Sequence, residues 1–377
     1  MSGFTTNILI LGKTGAGKST LVNYLYGKEI AVARAGRPVT EKGLHRHEAF
    51  PYRNMNIVVW DSWGLEADKA REWWNDLREQ LTQESGKPDI KDWIHTVIYC
   101  FDAKKSRLEE YEKEHILKPL IDMGYRLIFA LTKWGLCSEE ERNAARKVLA
   151  EACPDFSQIP VESVTQRLRS GRATEQQGRN DLFREICLNL RGNLMYHLRI
   201  RTRDDMKNAV SRAEEATIRT FDRETGFFTI FGDDLKAKLE AEARRNYLRE
   251  IREVYSVLRN NLSLIDGMCV EVIRGYTGID VSEKLRELSR VLDDIGDTRI
   301  QAWDNDSAEY AATIITTVIT LGFFSFFRTS VYRDEFFKKL QEVSSKLTGD
   351  LESFADNLDR AEAGVEQEIA KKLVSFR

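Results

Sequence analysis

Proline is scarce, at 6 in 377 residues, so no proline-rich linker or low-complexity tract interrupts the chain. Cysteine is also sparse. The five (Cys100, Cys137, Cys153, Cys187 and Cys269) are odd in number and share no paired spacing. That argues against a disulfide framework or a zinc site and favours a reducing compartment. Charge of one sign is not in excess: at a formal net charge of −3, bulk attraction to nucleic acid is not expected. The start, MSGFTTNILIL, lacks the basic lead and long apolar stretch of a signal peptide, so a cytoplasmic chain is expected. What remains is ordinary for a soluble protein, 42% hydrophobic and 31% charged, and long enough for about two domains.

The chain changes character near residue 195. Before it, NILIL (7–11), NIVVW (56–60), HTVIYCF (95–101), YRLIFAL (125–131) and IPVESV (159–164) read as buried strands. Helical patterns lie between most of them, the sequence form of a mainly parallel α/β sheet with helices on both faces. HRHEAFPYRNMNIVVW reads as a hairpin turning at 51–54, adding one antiparallel strand. After 195 the strand patterns stop. Charged stretches with apolar residues at three and four spacing, such as 233–262, predict an all-α helical bundle. The expected division is an α/β domain over 1–195 and a helical bundle domain over 196–377.

The sharpest chemical feature is GKTGAGKS (12–19), which satisfies G-x-x-x-x-G-K-[ST] directly after a strand and at the start of a helix. Glycines at 12, 15 and 17 let backbone amides of the loop, from Lys13, Thr14, Gly15 and Ala16 to Lys18, Ser19 and Thr20, curl around phosphates without steric cost. The helix N-terminus adds partial positive charge. Lys18 is expected to reach the β- and γ-phosphates, and the Ser19 hydroxyl to ligate Mg2+. VVWDSWG sets Asp61 at the tip of a strand, with Gly64 three residues on. The aspartate is expected to hold Mg2+ through water, and the Gly64 amide to sense the γ-phosphate. Thr40, in AGRPVTEKG, is the candidate to close over Mg2+ and the γ-phosphate. Lys18, Thr40 and Gly64 are thus the candidate catalytic groups. An ordinary loop threonine at 40 and a surface acid at 61 remain the plainer alternatives.

Together, GKTGAGKS, PVT, DSWG and TKWG (132–135) resemble the translation-factor-related class of P-loop GTPases. The wording is most similar to Era-like and immunity-related (interferon-inducible) members, and RPVT also resembles the switch region of ribosome-binding-type and dynamin-like GTPases. The resemblance covers about residues 7–190, so 1–195 reads as the GTPase domain; a helical appendage is common to the immunity-related and dynamin-like groups. It implies GTP and GDP as ligands, Mg2+, slow hydrolysis and a switch that often forms a homodimer across the nucleotide face. Thr132 and Lys133 match the family's TK pair, whose lysine stem covers the base. Ser163 and Val164 resemble the later base-reading loop, where a backbone amide, here Val164's, meets the guanine O6.

Three residues depart from the family pattern. Leu65 stands where a glutamine orients the attacking water, which implies slow turnover. Gly15 stands where potassium-stimulated relatives carry asparagine. Gly135 stands where an aspartate accepts two hydrogen bonds from the guanine edge. Losing that pair relaxes base preference by about one to three orders of magnitude. Glu139 and Glu140, in the following helix, are candidate replacements, and a relaxed, ATP-accepting site is the alternative.

Residues 310–327, YAATIITTVITLGFFSFF, carry no charge over 18 positions, the lower limit for crossing a bilayer. Four threonines and a serine make it a poor span. The basic flank at Arg328, Arg333, Lys338 and Lys339 would also hold the C-terminus on the nucleotide domain's side. A helix buried in the bundle is the plain reading. The other is a tip, shared with GFFTIFG (226–232), that touches a membrane or a protein partner. His45 and His47 share a strand face without a third ligand, and the Arg-rich 198–207 is interleaved with acids, which argues against nucleic acid.

Overall fold

The computed structural model describes residues 4–31, 43–53, 55–63, 65, 70–85, 87, 89–167, 171, 173–224, 233–278 and 280–283, with scattered positions between 338 and 360. Thr40, Gly64 and the apolar runs 226–232 and 310–327 lie outside the described residues.

The N-terminal part is built on a seven-stranded sheet. Its strands are β1 (Phe4–Gly12), β2 (Leu44–Arg46), β3 (Phe50–Tyr52), β4 (Met55–Ser62), β5 (Thr96–Asp102), β6 (Leu127–Thr132) and β7 (Ser157–Pro160). The order is β2-β4-β1-β5-β6-β7, with β3 also on β4. The β1, β4, β5, β6 and β7 pairings are parallel, and β2 and β3 run antiparallel to β4. Ile8, Leu9, Ile10 and Leu11 of β1 are all fully buried. A strand with no polar alternation is one covered on both faces, and each such side chain stabilises by about 1.5–3 kcal/mol. Around the sheet lie α1 (Lys18–Tyr26), α2 (Ala70–Ser85), the short α3 (Glu110–Glu112) and α4 (Lys118–Asp122) joined by a π turn, and α5 (Glu139–Ala152). Ser138 and Glu141 close the start of α5 as a reciprocal cap.

Two expected elements differ in extent. The antiparallel strand before β4 is split, because His47–Ala49 leave the ladder between β2 and β3, although His47 N–H still donates to Val59 O at 2.9 Å. The last strand begins earlier and ends at Pro160. Past Val161 the chain turns away from β6, and Glu162 pairs reciprocally with Gln177.

From residue 179 the described chain is mainly helical, with two long helices, α6 (Arg179–Glu224) and α7 (Asp233–Thr277). The contacts divide the chain into two compact units, 1–197 with 264–282 and 198–263 with 283–377. In the first, a buried ion pair joins Arg191 to Asp266 at 3.1 Å, and the Arg179 guanidinium donates to Leu25 O at the end of α1. In the second, Arg212 pairs with Glu250 at 2.8 Å and Tyr247 shares a 2.9 Å hydrogen bond with Ser344. Among the described residues, no helix is long and apolar enough to cross a membrane.

Candidate functional site

The parallel strands deliver their following loops to one edge of the sheet, where open α/β sheets bind ligands. The loop after β1 has a steric requirement at its first residue. Gly12 sits at φ 142°, and a Cβ on it would fall 2.6 Å from the Cys100 carbonyl oxygen of β5. Only glycine meets both conditions. Gly17, also in the left-handed region, stands at the N-cap of α1. The loop is braced from the end of β6. The Thr132 hydroxyl, between two carbonyls, lies 2.7 Å from Ala16 O and 3.1 Å from Phe101 O. Lys133 Nζ donates to Gly15 O at 2.8 Å and pairs with Asp102 at 2.6 Å. Fold topology thus brings 12–17 and 132–133 together across three strands.

Lys18 is buried, and its ammonium donates to Gly12 O at 3.0 Å and Lys13 O at 3.2 Å. Burial lowers its pKa, opposed by the nearby Asp61 carboxylate. Asp61 is 1% exposed. Burial pushes its carboxyl up to about 6, while Lys18 and His45 pull it down. Its Oδ1 has no hydrogen-bond partner, and neither has Thr14 Oγ1. Buried polar atoms left unpaired are rare, and a carboxylate oxygen in this state fits a hard cation. Among the described residues, no group of three or more His, Cys, Asp or Glu side chains is placed to hold a metal. A cation at Asp61 would therefore draw on Ser19, in the first turn of α1, and on oxygens of water or ligand.

Leu65 is a core residue, 2% exposed. Its carbonyl accepts from Thr14 N–H at 3.0 Å, and its own N–H faces Gly12 O at 3.4 Å. The segment after Asp61 is thereby laced to the phosphate loop. Trp73, fully buried, donates its indole N–H to Trp63 O at 2.9 Å.

On the far side of Lys133, Trp134 is 8% exposed, with the Arg142 and Arg146 guanidinium groups over its ring. The next residue, Gly135, donates its N–H to Glu162 Oε2 at 2.9 Å. Burial raises the Glu162 pKa, and the Gly135 and Val164 peptide N–H groups lower it. Of the two acids expected near Gly135, Glu139 pairs with Arg142 at 3.6 Å, and Glu140 is exposed in the first turn of α5. Both sit at the positive end of the helix dipole there, which favours their charge. The carboxylate at Gly135 is Glu162 instead. Ser163 and Val164 follow it, Ser163 O accepting from Gln176 Nε2 at 2.8 Å and the Val164 side chain 39% exposed. Sequence reading passed over Asp102 and Glu162; the one visible hint was an acid directly before Ser163–Val164.

Residues 7–133 match the family model described as 50S ribosome-binding GTPase. The GTPase Era of Erythrobacter litoralis is 29% identical over 155 residues, covering 40% of this chain and 47% of that protein. The GTPase Der of Parvibaculum lavamentivorans is 22% identical over 179 residues, covering 45% of this chain and 34% of that protein. The chain thus spans less than half the length of either relative. Toc33 of Arabidopsis thaliana, solved with Mg2+ and GMPPNP, superposes at a TM-score of 0.35 with 14% identity, over 48% of this chain and 82% of that one. In sequence, residues 7–133, which carry the phosphate loop, Asp61 and the Thr132–Lys133 brace, are similar to the 50S ribosome-binding GTPase family, and part of the chain is similar to the GTPases Era and Der.

Proposed function

We propose that the chain is a Mg2+-dependent GTP-binding switch with slow hydrolysis, whose nucleotide state drives self-association and movement of the helical domain over 196–377. One observation carries the reading: a glycine loop between β1 and α1, braced by Thr132 and Lys133, lies beside a buried Asp61 with an unpaired oxygen. Ser19 and Asp61 would hold Mg2+, which when bound neutralises charge across the β- and γ-phosphates. Lys18 would exchange two backbone carbonyls for phosphate oxygens, and the amides of residues 13–20 would cradle the phosphates. Thr40 and Gly64 would meet the γ-phosphate, and Thr132, Lys133, Ser163 and Val164 the base.

GTP and GDP as ligands are supported by the similarity to Era and Der. Dimerisation across the nucleotide face and an immunity-related or dynamin-like appendage rest on the motif resemblance, a cytoplasmic site on the N-terminal run MSGFTTNILIL, and membrane or partner contact on the apolar runs 226–232 and 310–327. Phosphate release measured against protein concentration tests the switch. Turnover that rises with concentration supports it.

A second reading is favoured by Leu65, whose side chain packs in the core and cannot orient water. In it the chain is a nucleotide-sensing interaction module with vestigial hydrolysis. Tight GTP binding with flat, near-zero turnover at every concentration would select this reading.

A further inference from the structure

Gly135 leaves a volume empty at the start of a side chain, and Glu162 fills it. A Cβ on Gly135 would fall 3.0 Å from Glu162 Oε2, the same oxygen that accepts the Gly135 N–H. An aspartate at 135 would carry its carboxylate into the space where this one already sits. Glu162 is fixed there by its backbone: its N–H donates to Gln177 O at 3.1 Å, and its carbonyl accepts from Gln177 N–H at 3.0 Å. Val161, beside it, is tied to Leu131 O of β6 at 2.8 Å. The Thr174 methyl, also 3.0 Å from that Cβ position, leaves no room for two acids.

We infer that Glu162 supplies the carboxylate that reads the purine edge, the specificity-determining group absent at Gly135. The inference rests on the nucleotide reading above and adds to it the group that selects the base. Guanine presents two donors on one edge, N1–H and the 2-amino group, and an ionised carboxylate accepts both. Adenine presents an acceptor at N1, which a carboxylate repels. Lys133, which braces the phosphate loop, also favours the ionised state of Glu162. Glu162 is 1% exposed, so a base reaches it only by displacing a neighbour, and Thr174 is the other side chain packed against Gly135.

The test is calorimetric titration of the full chain, with Mg2+, using non-hydrolysable analogues of GTP, xanthosine triphosphate and ATP. Xanthine carries a carbonyl in place of the 2-amino group, so it suits an amide, which donates and accepts, and not a carboxylate. Wild type is expected to prefer the guanine analogue to both others. Glu162→Gln is expected to weaken the guanine analogue by about tenfold to hundredfold and to tighten the xanthine analogue. A Glu162 that only supports the loop would weaken both alike. That outcome, or no change, overturns the inference while wild-type guanine preference stands. Wild type binding the guanine and xanthine analogues equally, in preference to ATP, overturns it without any variant. Equal binding of GTP and ATP analogues by wild type overturns the guanine reading itself, and this inference with it. If Glu162→Gln loses cooperative thermal unfolding, the double variant Gly135→Asp/Glu162→Ala decides. A carboxylate returned from 135 restores guanine preference, whereas a folded double variant blind to the base overturns the assignment.

Discussion

Lys13 Nζ lies 2.5 Å from Glu112 Oε2, and the other oxygen of that carboxylate accepts the Tyr99 hydroxyl at 2.6 Å. The Glu109 N–H adds a third donor at 2.7 Å. Glu112 is 2% exposed, so the outer side of the phosphate loop is fastened to β5 through a buried, fully paired acid. Burial first, and Glu112 next, raise the Tyr99 pKa well above its ordinary value and keep the phenol a donor.

Lys13→Ala should therefore destabilise the first unit although the lysine itself is partly exposed. The buried carboxylate keeps neutral donors and loses its counter-charge, a loss of about 1–3 kcal/mol. Thermal unfolding followed by circular dichroism measures it, and an unchanged midpoint would show that the ion pair contributes nothing.

Two glycines of the site, Gly12 and Gly135, should differ in cost. Gly12→Ala drives a methyl to 2.6 Å from a backbone carbonyl at positive φ, where nothing flexible gives way. Loss of about 3 kcal/mol or more, or failure to fold, is expected. Gly135→Ala meets only side-chain atoms, Glu162 Oε2 and Thr174 Cγ2, both at 3.0 Å. A cost of about 1 kcal/mol is expected there. Equal denaturation midpoints for the two variants would contradict this ranking.

Asp61→Asn removes a buried charge whose carboxyl burial has pushed up to about 6. A carboxylate with a raised pKa costs stability at neutral pH, so the neutral isostere should not lower the metal-free melting temperature. The stabilisation that Mg2+ adds in the presence of nucleotide should fall, with affinity down by about tenfold to hundredfold. A thermal shift with Mg2+ as large as that of wild type would remove Asp61 from the metal site.

His95 should show the opposite linkage from a raised group. Burial lowers its pKa to about 4, although the Ile90 carbonyl, which accepts from Nε2–H, and the Asp92 carboxylate both pull it up; Nδ1 accepts the Asn7 N–H in the neutral ring. Its unfolded value is near 6.5, so the unfolded chain binds the proton first as pH falls. Stability is full above about pH 6.5 and declines from there to about 4, by roughly 3 kcal/mol in all. An NMR titration of the His95 ring in the folded protein checks this directly; a midpoint near 6.5 would refute it.

The phosphate loop, Asp61 and the alternation of strands and helices were legible because each is local. G-x-x-x-x-G-K-[ST] is a contiguous set of residue types, and a buried parallel strand announces itself by an unbroken apolar run. Element ends were less legible: the split between β2 and β3 and the early stop at Pro160 depend on what the neighbouring strand offers, which the local pattern does not contain.

The contacts that assemble the site were decided by tertiary structure alone. Thr132 reaches Ala16 across 116 residues, Gly135 reaches Glu162 across 27, and Lys13 meets Glu112 at the end of α3. All depend on the order β1-β5-β6-β7, which sets the ends of distant strands side by side. The sequence made Gly135 look like a missing group; the fold brings a carboxylate from a different loop to the same place, because space left by an absent side chain in a packed interior is filled by its neighbour.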